Sequence, residues 1–108
     1  MSNHRIETYI HSDSATANKG GAMVMVCAKT DFACATPQFI GFAKEVAKLA
    51  YGAGTAVWKE IIEIFPDLEA TRLALESKAK PLGLGERIVV DRICLFLPDG
   101  SSTLETDL

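Results

Sequence analysis

Three cysteines, Cys27, Cys34 and Cys94, are the residues of this chain best suited to nucleophilic chemistry. A thiol attacks as its thiolate, so it needs a histidine or another cation beside it. Lys29 is the one obvious neighbour in sequence, because His4 and His11 lie far from any Cys or Ser motif. The cysteines are an odd set without the CxxC spacing of a zinc site, which fits reduced thiols. Buried structural thiols are the simpler reading. His11 with Asp13 offers a weak acid/base or metal pair, but two such groups fall short of a metal site, and a surface strand residue explains His11 as well. Glu60 and Glu63 lie one helical turn apart and read as a solvated helix face. Asn18-Lys19-Gly20-Gly21 lacks the GxxxxGK[ST] frame of a phosphate loop and reads as a turn. This inventory gives no catalytic residue, no metal and no cofactor, and it favours a binding module over an enzyme.

The bulk properties narrow the class of partner. The chain has 108 residues, 48% hydrophobic and 23% charged, which argues against disorder, collagen and coiled coil. One domain over residues 1–108 is expected, ordered over about 5–97, with a core that needs no disulfides. Eleven Lys and Arg oppose fourteen Asp and Glu, for a net charge of -3. That balance argues against nucleic acid or an anionic membrane as the main partner. The first nineteen residues are polar, with no signal-peptide core, and no apolar run approaches the roughly 20 residues of a membrane span. A cytoplasmic protein is expected.

The elements that must position any site follow from periodicity. Residues 5–11 alternate, with Ile6, Thr8 and Ile10 on one face and Glu7, Tyr9 and His11 on the other, as in a half-buried strand. Residues 12–21 read as a hairpin loop, and the Val-rich run 22–28 as a more central strand paired antiparallel to the first. Residues 29–35 read as an irregular connector. Thr36 and Pro37 look like an N-cap and first helical residue. Phe39, Phe42, Ala43, Val46, Ala47 and Ala50 then form the inner stripe of a helix ended by Gly52 and Gly54. Thr55 is placed as the cap of a second helix carrying Val57, Trp58, Ile61, Ile62 and Phe65, which Pro66 stops. Residues 67–79 read as a third helix, with Leu68, Leu75 and either Thr71 or Arg72 inside. Residues 87–97 form a third strand, with Ile88, Val90, Arg92, Cys94 and Phe96 on one face and Val89, Asp91, Ile93, Leu95 and Leu97 on the other. Residues 98–108 read as a frayed tail. The order β-β-α-α-α-β implies a two-layer α+β domain: a three-stranded antiparallel sheet covered on one face by helices, its other face more exposed and open to a partner.

Thr30-Asp31-Phe32 breaks the bland pattern. A phenylalanine in a connector either folds back to plug the helix–sheet seam or projects as an apolar anchor for a partner, with Asp31 beside it. Composition alone favours the plug.

The same residues carry a resemblance. Thr30-Asp31-Phe32, then Phe39, then Phe42-Ala43-Lys44-Glu45-Val46-Ala47 resemble the TDF motif and following helix of translation elongation factor Ts (EF-Ts). Tyr9-Ile10-His11 is similar to that family's first strand and 24–26 to its second. Arg72-Leu73-Ala74-Leu75 and the run 85–94 are similar to its later helix and strand. The pieces occur in order from about Tyr9 to Phe96. The resemblance implies the fold derived above, as one core module, and a protein that binds the GTPase EF-Tu and promotes GDP release. By resemblance Thr30, Asp31, Phe32 and Ala33 make the contact, Phe32 as a wedge that disturbs the magnesium and phosphate site. Lys29, Ala33, Ala35 and Asp91 depart from the family pattern, with charge reversed at Lys29 and Asp91. A chain that begins at the first strand is expected to lack the N-terminal three-helix domain usual in the family. These departures keep open an EF-Ts-derived interaction module, minimal or phage-type, without efficient exchange. The resemblance also allows a homodimer. A small enzyme using Cys27 or Cys34 is the reading outside the family.

Overall fold

The structure, a computed structural model, describes residues 3–106. It is an α+β fold built on one antiparallel sheet with helices on one face. Strands β1 (Asn3–His11) and β2 (Gly20–Ala28) form a hairpin, and β3 (Val89–Phe96) and β4 (Ser102–Thr106) complete the sheet in the order β1-β2-β3-β4. Helices α1 (Asp31–Cys34), α2 (Pro37–Ala53), α3 (Trp58–Ile64) and α4 (Pro66–Glu76) lie between β2 and β3 in sequence.

Alternation alone does not say which face of β1 the helices cover; register does. Tyr9 pairs with Ala22, Glu7 with Val24 and Arg5 with Val26, and paired residues share a face. Ala22, Val24 and Val26 are buried, so the polar set of β1 goes under the helices and its isoleucines go to the open side. Arg5 Nε donates to Glu7 at 2.6 Å within that half-buried row. Tyr9 rests against Tyr51 of α2, ring centroids 5.7 Å apart. Gly20 and Gly21 belong to β2 rather than to the loop. A Cβ on Gly21 would stand 2.4 Å from the Tyr9 carbonyl oxygen, and one on Gly20 would meet Tyr51 at 2.8 Å, so this end of the hairpin closes only with glycine.

Helix α2 matches its pattern. Thr36 Oγ1 accepts from the Phe39 N–H at 3.3 Å, Pro37 stands at the first turn, and Gly54 ends the helix in the left-handed conformation. All six stripe residues from Phe39 to Ala50 are buried. Gly52, expected at the end, lies inside. The rings of Phe42 and Trp58 pack at a near-right angle of 84°, centroids 6.4 Å apart.

Five expectations need correction. The tail is not wholly frayed, because Ser102–Thr106 pairs with β3 as a fourth strand. The turn before it is set by Asp99, whose carboxylate accepts from the Ser101 N–H and hydroxyl, and by Gly100 with φ 89°. Residues 107 and 108 lie outside the described residues. Second, the connector 29–35 contains helix α1. Third, Thr55 is not the N-cap of α3; that residue is Val57, and Thr55 supports the turn by accepting from the Val57 N–H and donating to Glu60. Helix α4 runs from Pro66 to Glu76 instead of 67–79, with Arg72 rather than Thr71 turned inward.

The fifth correction concerns β3. Met25 pairs with Arg92 but Val26 pairs with Val90, which leaves Asp91 as an extra residue. The bulge shifts the inward phase by one. Ile88 and Val90 on one side of it and Ile93 and Leu95 on the other are therefore all in the core, although strict alternation puts them on opposite faces. The open face carries Ile6, Ile10, Met23, Phe96 and Leu104, each about half exposed or more.

Candidate functional site

The site builds from the end of β2. Ala28 is buried and Lys29 is exposed; the Lys29 carbonyl accepts from Asn3 Nδ2 at 2.7 Å. Thr30 leaves the strand with extended backbone, φ -123° and ψ 152°, which suits an N-cap. Its hydroxyl accepts from the Ala33 N–H at 3.2 Å. One helical turn follows, closed by the Ala35 N–H on the Asp31 and Phe32 carbonyls, both at 3.1 Å. Thr36 then donates to the Ala33 carbonyl at 2.8 Å while capping α2. Two threonine caps thus bracket a four-residue helix.

That helix sorts its side chains by depth. Ala33 and Cys34 are buried and pin it to the core. Asp31 is exposed, and Phe32 is 79% exposed. Phe32 is therefore not the plug that composition favours. Burying a phenylalanine is worth roughly 1.5–3 kcal/mol, and the fold forgoes that here. Ala33 seats the turn from below, and its side chain is closed to a partner. The four residues expected to make the contact thus divide into a half-buried cap (Thr30), two presented side chains (Asp31, Phe32) and a buried anchor (Ala33).

One residue of this arrangement escaped the reading of the sequence. Glu86 comes from the loop before β3, 56 residues away, and accepts from Thr30 twice: from its N–H at 3.0 Å and from its hydroxyl at 2.6 Å. No local pattern marks it, because the partner is distant in sequence.

The alternative chemistry is not assembled. Burial raises the Cys34 thiol above its ordinary value, with Asp31 and Glu86 adding to the effect. Burial likewise raises Cys27, reinforced by Asp91. Both shifts oppose the thiolate a nucleophile needs. His11 and Asp13 turn to different partners. His11 Nδ1 shares a hydrogen bond with the Tyr9 hydroxyl at 2.7 Å and its ring stacks on Tyr51. Asp13 binds Lys19 Nζ at 2.5 Å and the N–H groups of Ala15 and Thr16. Glu60 and Glu63 lie on an exposed helix face. Among the described residues no group of three or more His, Cys, Asp or Glu could hold a metal ion, and no helix is long and apolar enough to cross a membrane.

Comparison with known proteins gives one kind of relative. The chain is 35% identical over 95 residues to elongation factor Ts from Clostridium botulinum strain Eklund 17B (type B) and, equally, to that from strain Alaska E43 (type E3). The match covers 87% of this chain and 29% of each relative, so the chain spans less than a third of their length. No family model matches, and no solved structure matches. The chain is similar to part of an elongation factor Ts.

Proposed function

We propose that this chain is one EF-Ts-like core module that docks on the GTPase EF-Tu in the cytoplasm and promotes GDP release, with Phe32 as the wedge and Asp31 beside it. The observation that carries the reading is Phe32 itself: a large apolar side chain held out on a capped turn, in the segment where the sequence resembles the TDF motif. The energetics are those of linkage. A factor that weakens GDP binding is weakened by GDP in equal measure, and each tenfold loss of GDP affinity requires about 1.4 kcal/mol of differential contact. One phenylalanine burying roughly 1.5–3 kcal/mol of apolar surface accounts for about one such step, or two. The rest must come from other surfaces. The contact needs no catalytic residue, no metal and no cofactor. The homodimer that the resemblance allows would have the open sheet face available.

The deciding measurement is release of labelled GDP from bacterial EF-Tu at fixed magnesium, with this protein and with Phe32→Ala. Faster release that is lost in the variant is the expected result. Because Phe32 is exposed, the variant's stability should stay within about 0.5 kcal/mol of the parent. Acceleration that survives Phe32→Ala overturns the wedge. The second reading, a module that binds EF-Tu without useful exchange, draws on exposed Lys29 beside the turn, where the family pattern carries the opposite charge. It predicts co-purification with EF-Tu and no acceleration.

A further inference from the structure

We propose that Glu86 is a positioning residue for the Phe32 turn, an assignment that rests on the docking role proposed for that turn. Helix α1 has only four residues, too few to hold themselves, since the first turn of a helix is the costly one to form. Something else must fix the direction in which Phe32 projects. The Thr30 hydroxyl is the inner cap, accepting from the Ala33 N–H. That hydroxyl carries a single proton, and Glu86 takes it at 2.6 Å, which leaves an oxygen lone pair for Ala33. The second Glu86 oxygen takes the Thr30 N–H at 3.0 Å. Both carboxylate oxygens thus act on one residue and fix its backbone and its rotamer together.

The loop that carries Glu86 is itself braced. Glu76 Oε2 accepts from the Ile88 N–H at 2.8 Å, Arg72 Nη1 donates to the Ile88 carbonyl at 2.9 Å, and the Leu84 N–H donates to the Leu75 carbonyl at 2.7 Å. Polar contacts from α4 therefore hold the chain on both sides of Glu86, at Leu84 and at Ile88, and Glu86 in turn holds Thr30. Glu86 is half-buried whereas Asp31 and Phe32 are exposed, so it acts through Thr30 rather than by touching the partner.

The test uses the full chain, with Glu86→Ala, Thr30→Val and Phe32→Ala alone, and Glu86→Ala combined with Phe32→Ala. The first readout is amide hydrogen exchange, which needs no partner. Glu86→Ala and Thr30→Val should each speed exchange at Ala33 and Cys34 by about tenfold, with the α2 amides from Phe42 to Val46 unchanged. Thr30→Ser keeps both donors and should behave as the parent. The second readout is GDP release from EF-Tu. Glu86→Ala should raise the concentration needed for half-maximal release about tenfold, and, read as affinity for EF-Tu where release is lost, it should add nothing once Phe32 is alanine, the non-additivity expected of residues acting as one unit. Unchanged exchange at Ala33, or a Glu86 effect of full size in the Phe32→Ala background, would overturn the assignment. If the parent neither binds EF-Tu nor releases GDP, the docking role fails, and the exchange result alone then decides whether Glu86 holds the turn.

Discussion

At the scale of single residues, many of the polar contacts join near neighbours in sequence. Asp13 is the clearest. The Lys19 ammonium, then the Thr16 and Ala15 N–H groups, hold its carboxyl down to about 2. A depressed carboxyl favours the folded loop above its ordinary value near 4 and loses that effect as pH falls toward 2. A carboxyl-detected titration should therefore show a midpoint near 2 for Asp13, with the Ala15 and Thr16 amides following it. Lys19→Met should move that midpoint upward, and an unmoved midpoint would show that the amides suffice. The thiols make the opposite case. Cys27 and Cys34, buried and raised, should be alkylated more slowly at neutral pH than a free cysteine, and slowly enough that labelling tracks opening of the fold.

At the scale of elements, the decisive features are where a pattern starts, stops or changes phase. Helix α2 starts at a threonine cap with proline behind it and ends at Gly54 with φ 71°. Gly54→Ala forces a left-handed alanine and should cost about 1 kcal/mol by chemical denaturation. Phe39, fully buried at the base of the same helix, should cost about 3–5 kcal/mol as alanine. These boundaries were legible because caps, proline and apolar spacing are properties of neighbouring residues. The Asp91 bulge was not. Nothing in residues 87–97 announces an extra residue, and only pairing with β2, where Val26 meets Val90 rather than Asp91, exposes it. Deletion of Asp91 removes the extra residue, so strict alternation should then keep Ile88, Val90, Ile93 and Leu95 all on the core face, and the sheet should persist. Amide exchange that shows Ile88 and Val90 released from the core in the deletion variant would refute the phase shift.

At the scale of the whole molecule, the sheet divides two surfaces. The helix-covered side buries the core and, at the β2–α2 junction, presents Phe32. The open side carries Ile6, Ile10, Met23, Phe96 and Leu104. Strand β4 borders β3 at the edge opposite β1, away from the turn that follows β2. Removing residues 98–108 should lower the melting temperature and bare the β3 edge, with more association at high concentration. It should leave Phe32-dependent GDP release unchanged, which sedimentation and release assays check together.

What the sequence by itself determined was local. The amphipathic stripe of α2, its caps, the hairpin, the stop at Pro66 and the odd placing of Phe32 all depend on residues within a few positions of one another, and short-range sterics and spacing decide them. The tertiary structure alone decided what depends on residues far apart. Pairing with Val24 and Ala22 chose which face of β1 meets the helices. Pairing with β3 turned part of the tail into β4. The core had room for Ala33 and Cys34 but turned Phe32 outward, and Glu86, 56 residues from Thr30, supplied the hydrogen bonds that seat it. A chain carries its local preferences in order, but which distant groups meet is settled only when packing and hydrogen-bond satisfaction are solved for all of it at once.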